Sequence, residues 1–209
     1  ITARFQIDKC NHKLVEFTIE ITETLNKSFE FLYHEKRGKL ASLREKIKEI
    51  NKDIKQLQSK SIRVVNKLED EYDHVGHFYM QVLGYMKEVA DSASNILQDE
   101  WSHIDNNHPQ ITKDQLKDFE AVSNKLVDFG KDFCRVINEK DFGSIARIEK
   151  QYEDMAEEID SINLRQIKLM KNEEISSRNM LLVTQIFQEE KNLVLHMIKL
   201  IKSAKKLNA

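Results

Sequence analysis

Apolar residues recur along this chain at steps of three and four, the spacing that puts them on one face of an α-helix. Between residues 38 and 69, Leu43, Ile47, Ile50, Ile54, Leu57, Ser61, Val64 and Leu68 form a heptad seam, with Lys, Arg and Glu at the outer positions. Segment 141–170 repeats the pattern with Ile145, Ile148, Tyr152, Met155, Ile159 and Ile162. An earlier helix over about 4–35 carries Leu14, Phe17, Ile21, Leu25, Phe29 and Leu32 inward, and Gly38 is placed to supply a left-handed cap at its end. The junction from Leu68 to His74 has neither Gly nor Pro, which leaves a continuous helix open there. The firm break is Asp105-Asn106-Asn107-His108-Pro109, because proline stops a helix and its predecessor avoids the α region. Thr112-x-x-Gln115 then reads as a capping box opening a helix over about 112–139. Asn138–Gly143 is a short turn, and a weaker boundary lies at Lys171–Ser177.

The pattern predicts an all-α chain of six long helices, forming two three-helix bundles over residues 1–104 and 105–209. The halves align weakly: Val82 falls on Val183, Met86 on Phe187, Glu88 on Glu189, Asp91 on Asn192 and Ile96 on Met197. Composition supports this. Only 5 Gly and 1 Pro occur in 209 residues, too few for the turns of an all-β or doubly wound fold. The net charge of −2 gives no electrostatic pull toward nucleic acid. Cys10 and Cys134 match no metal or redox spacing, and reduced thiols in a cytosolic setting are expected. No apolar run reaches the roughly 18 residues of a membrane span. A start at Ile1 reads as a piece of a longer protein.

Chemistry-bearing motifs are sparse. No Gly-rich phosphate loop, nucleophile elbow, H-E-x-x-H or zinc-spaced cysteine pair occurs, so no enzyme and no cofactor is expected. Two Glu-x-x-His matches, Glu71…His74 and Glu100…His103, resemble di-iron bundle ligands. They lie about 29 residues apart, roughly 43 Å along a helix, too far to share a site. A polar stripe of His77, Gln81, Tyr85, Glu88, Ser92 and Asn95 spans about 80° of the third helix. The last helix has a matching stripe, Arg178, Gln185, Glu189, Asn192 and His196, flanked by leucines on both sides. Polar lines inside apolar helices are expected to be buried and hydrogen-bonded. They can serve as a register-fixing network, a solvated face, or a ligand, metal or partner contact. The last helix is apolar around most of its circumference, so it either lies centrally or meets a second surface. Its Lys199, Lys202, Lys205 and Lys206 suit a helix C-terminus, or contact with acidic lipid.

Specific residues then become familiar. The run Gly76-His77-Phe78-Tyr79-Met80-Gln81-Val82-Leu83-Gly84-Tyr85-Met86-Lys87-Glu88-Val89-Ala90 resembles a segment of the PhoU-like cytosolic domain attached to bacterial inorganic-phosphate transporters. Asp105-Asn106-Asn107-His108 is similar to its inter-bundle turn. Arg178-Asn179-Met180-Leu181-Leu182 and Glu190-Lys191-Asn192-Leu193-Val194-Leu195-His196 are similar to its last helix. The resemblance spans about residues 10–205. It implies two three-helix bundles beneath a sodium/phosphate cotransporter-like or PiT-like transporter, at the cytoplasmic face of the inner membrane, with negative control of phosphate uptake. The implied partner is the transmembrane part of the parent. A second copy of the chain is the alternative, as a purely structural dimerising bundle, and a metal-dependent sensor is a further one. Metal-binding PhoU proteins carry Glu/Asp-x-x-x-Asp on the third helix of each bundle. Here that pattern meets Lys87-x-x-x-Asp91 and Gln188-x-x-x-Asn192. Glu88, Asp91 and Glu189 are the nearest carboxylates, and no metal is expected to be held. His77, Gln81, Tyr85, Glu88, Arg178, Gln185, Glu189, Asn192 and His196 are the contact candidates.

Overall fold

A computed structural model describes residues 2–209. Six long helices span them: α1 (Ala3–Tyr33), α2 (Arg37–Asn66), α3 (Asp73–Asp105), α4 (Lys113–Glu139), α5 (Ile145–Lys171) and α6 (Ser177–Leu207). Short 3-10 turns at Asp70–Tyr72 and Phe142–Ser144 precede α3 and α5. Among the described residues there is no strand, and no helix is long and apolar enough to cross a membrane.

Local chemistry explains the boundaries. The hydroxyls of Thr2 and Ser176 accept hydrogen bonds from the Phe5 and Asn179 amides, capping α1 and α6. At α4 the Thr112 hydroxyl accepts from the Gln115 amide and the Gln115 side-chain oxygen accepts from the Thr112 amide, the expected capping box. Helices α1, α3, α4 and α5 end alike, on a left-handed residue: Glu35, Asn107, Lys140 and Glu173. The amide beyond each reaches back five residues, as in Lys36 to the Phe31 carbonyl at 2.8 Å. Glu35 therefore takes the role expected of Gly38, which sits inside the first turn of α2.

The junction across Leu68–His74, which the sequence left open to a continuous helix, is broken. The chain turns between Asn66 and Asp73, so that α3 can return along α2. Leu68 packs against the core, and Gly76 lets Val65 and Leu68 approach: a Cβ there would meet both Val65 methyls at 3.2 Å.

One continuous apolar core runs through all six helices. Helix α2 packs on α3 and α1, and α5 packs on α6 and α4. The two sets join where α1 lies on α4 and α3 on α6. Helix α6 is central, lying against α3, α5 and α4, which accounts for its nearly all-round apolar surface. On α2 only every second heptad position, Leu40, Ile47, Ile54 and Ser61, is fully buried; Leu43, Ile50, Leu57 and Val64 are half-buried. Between α4 and α5, buried Gln115 donates to Gln166 at 3.0 Å, Gln166 donates to Asp118, and Arg165 clasps Asp118 at 2.8 and 2.9 Å.

The α1–α4 contact is close at Gly130. A Cβ there would lie 2.9 Å from Cγ2 of Thr22, and Thr22 is held by its hydroxyl bond to the Thr18 carbonyl. A β-branched side chain so anchored cannot swing aside. Gly130→Ala is expected to destabilise the fold by about 1–3 kcal/mol in urea unfolding, despite alanine's higher helix propensity.

Candidate functional site

The polar stripes of α3 and α6 meet along one edge of their shared interface. The helices run antiparallel. Near one end the Ser203 hydroxyl donates to the Gln81 side-chain oxygen at 2.6 Å. Further along, the Tyr85 and His196 rings lie 6.5 Å apart, and the Asn95 amide then donates to Glu189 at 3.4 Å. Beyond these, an open depression of about 360 Å³ is lined by Asn95, Gln98, Asp99, Gln185, Gln188 and Glu189. Asp99 and Gln185 also border a smaller hollow of about 200 Å³ that includes Ser102, His103, His108 and Arg178. Partial burial, with Glu189 beside it, holds the Asp99 carboxyl above its ordinary range.

This geometry corrects the expectation that the stripes are buried. His77, Glu88, Asn95, Arg178 and Gln185 are exposed; Gln81, Tyr85, Glu189, Asn192 and His196 are intermediate; only Ser92 is buried. The apolar faces of α3 and α6 fill the seam and leave the stripes on its rim. Of the sequence-derived candidates, Tyr85 and His196 come together, and Gln185 and Glu189 join Asn95 and Asp99. His77 packs edge-on against its neighbour Phe78, and Arg178 lies at the far end of the rim.

The donors nearest the family's metal pattern are committed to other partners. The Lys87 ammonium pairs with the Asp91 carboxylate. The Asn192 side-chain oxygen accepts from Gln188 at 3.2 Å, and the Asn192 carbonyl lies 2.8 Å from Nδ1 of His196. This donor set does not suit a metal cluster, since a cation already occupies one carboxylate and an amide replaces another. Among the described residues no group of three or more His, Cys, Asp or Glu could hold an ion. The Glu-x-x-His matches stay apart: Glu71 and His74 are exposed around the start of α3, whereas Glu100 and His103 are buried near its end.

The most unusual residues lie beneath the rim. Glu100 of α3 and Glu190 of α6 are fully buried, and none of their four carboxyl oxygens has a hydrogen-bond partner. Burial pushes the Glu190 carboxyl up to about 8. Burial also raises Glu100 well above the usual range; the nearby Ser28 hydroxyl opposes this in part, and Glu190 and Asp99 add smaller upward effects. His103 closes this end, its Nε2 2.7 Å from the Pro109 carbonyl oxygen, and burial lowers its pKa. The sequence signal for the pair was register. Glu190 continues the Val183, Ile186, Phe187 face, and Glu100 the Ala93, Ile96, Leu97 face, so each carboxyl occupies a core position.

No protein-family model matches the chain, and no curated protein matches it. Its fold is similar to that of PhoU from Pseudomonas aeruginosa, seen in a crystal structure: the TM-score is 0.77, 98% of each chain is covered and the identity is 9%. The chain thus has the PhoU fold, while the roles of its side chains rest on their own geometry.

The buried carboxyls make stability depend on pH. A carboxyl whose folded pKa is raised binds its proton more tightly in the folded state, so stability falls as pH rises from the unfolded value near 4.5 toward about 8. Wild type should lose on the order of a few kcal/mol between pH 5 and pH 7, and more by pH 9. Glu190→Gln removes one of the two carboxyls and is expected to lose distinctly less over the same interval. Denaturant melts at pH 5, 7 and 9 check this, and an equal pH slope in both proteins would contradict it.

Proposed function

We propose that this chain is a non-catalytic regulatory module that modulates inorganic-phosphate transport, at the cytoplasmic face of a bacterial inner membrane, through contacts with the transmembrane part of a phosphate transporter. The observation that carries this reading is the end-to-end likeness to PhoU, and the segment resemblance along α3 and α6 adds to it. The rim between those helices supplies the contact surface: carboxylates, amides and imidazoles, with Leu181 and Leu195 exposed at 48% and 40%. It offers hydrogen bonds and some apolar area, and no nucleophile poised beside a base.

Regulation of this kind requires different affinity for two transporter states. A coupling of about 1–3 kcal/mol changes transport roughly 5- to 150-fold. The rim is drawn from both halves of the chain, residues 1–104 and 105–209, so any shift of one against the other alters its shape. A second reading, a structural bundle that pairs with a second copy, draws on the half-buried heptad positions of α2.

Removing residues 1–209 from the parent protein is expected to change phosphate uptake several-fold or abolish its response to external phosphate. The paired rim changes Gln185→Lys and Glu189→Lys should do the same while leaving the melting curve within a few degrees of wild type. Unchanged uptake in both counts against the proposal. Sedimentation at several concentrations tests the second reading, which a strict monomer removes.

A further inference from the structure

Away from the rim, a groove of about 370 Å³ opens between α1 and α2, with α3 as its floor. Leu57, Leu83 and Met86 give it an apolar lining. Gln6 of α1 and Tyr79 of α3, each only 5% exposed, bring a carboxamide and a phenol to its lining. Lys9, Lys13 and Lys60 stand around the mouth. Among the described residues none of these three ammonium groups pairs with a carboxylate within 4.0 Å. Of the two carboxylates at the mouth, Glu16 is engaged by His12 at 3.0 Å, leaving Asp53.

An apolar interior with an unpaired cationic mouth complements a molecule with a greasy tail and a negative head. The volume falls in the range of small-molecule sites, enough for a single chain of roughly ten carbons. A second hydrophobic protein surface would leave the lysines unpaired, and a free inorganic anion would leave the lining empty. Burial pushes the Cys10 thiol up to about 12 and raises Tyr79, so at neutral pH the lining carries no thiolate or phenolate to repel an anion.

We propose that this groove binds a single-chain amphiphile with an anionic head, its tail lying on Leu57, Leu83 and Met86 and its head held by Lys9, Lys13 and Lys60. Gln6 and Tyr79 supply hydrogen-bond donors in the lining. A free fatty acid and a phosphate-headed single-chain lipid share this chemistry. The site is independent of the α3–α6 rim and of the proposed role in transport.

The test is isothermal titration of the full chain at neutral pH with decanoate, decyl phosphate, decanol and inorganic phosphate, each below its aggregation limit. Saturable one-to-one binding of decanoate or decyl phosphate is expected, at least tenfold tighter than decanol, with no binding of inorganic phosphate. The tighter of the two anionic amphiphiles identifies the source of the head group. Lys13→Glu should weaken binding about tenfold or more. Leu83→Trp should block it, provided circular dichroism shows the helices retained. If Leu83→Trp fails to fold, the mouth variants Lys13→Glu and Lys60→Glu decide alone. Equal affinity for decanol and decanoate, an unchanged affinity in the lysine variants, or no saturable binding of either anionic amphiphile would overturn the proposal.

Discussion

The antiparallel seam between α3 and α6 is the contact on which the rest of the molecule depends. Both helices bring long runs of buried apolar residues to the core, among them Val82, Val89, Ala93 and Ile96 of α3 and Val183, Val194, Met197 and Ile201 of α6, each at most 1% exposed. Each large apolar side chain so buried contributes roughly 1.5–3 kcal/mol relative to exposure, so this register is strongly preferred over any slipped one. The seam joins the first three helices to the last three, with α1 on α4 beside it. It also has two chemically distinct edges. The outer edge is the polar rim; the inner edge holds Glu100 and Glu190 away from water.

The molecule treats buried polarity in two ways. Between α4 and α5, Gln115, Gln166, Asp118 and Arg165 satisfy one another in sequence, so the polar groups specify alignment at little net cost. Between α3 and α6 the two carboxyls are fully buried and lack hydrogen-bond partners. There the low dielectric is resolved by protonation, since a neutral acid costs far less to bury than an anion. The seam that defines the fold is therefore also its most pH-sensitive part, and it lies beneath the polar rim.

The donor set on the third helix of each half does not favour a metal ion. Lys87 neutralises Asp91 within about one turn of α3, and the equivalent stretch of α6 offers Asn192, already hydrogen-bonded to Gln188. What remains is a hydrogen-bonding face whose information lies in shape and in the placement of amides, carboxylates and imidazoles.

Helix number, the capping box at Thr112, the break before Pro109 and the inward faces of α1 and α5 were legible in the sequence, because they follow from spacing and from groups only a few residues apart. The α3 and α6 stripes were legible as stripes. Their exposure was not: a helical wheel orders residues around one axis without saying how far a neighbour reaches, and only the packing of α6 on α3 decides which positions fall on the rim. The same limit hid the meaning of Glu100 and Glu190. Their core register could be read, but their meeting depends on two helices from opposite halves of the chain being laid antiparallel. Glu35 in place of Gly38 as the left-handed residue shows the local version, since the length of α1 is set by the closing hydrogen bonds of its last turn. Local periodicity determined the elements, and burial against distant segments decided what each polar side chain faces.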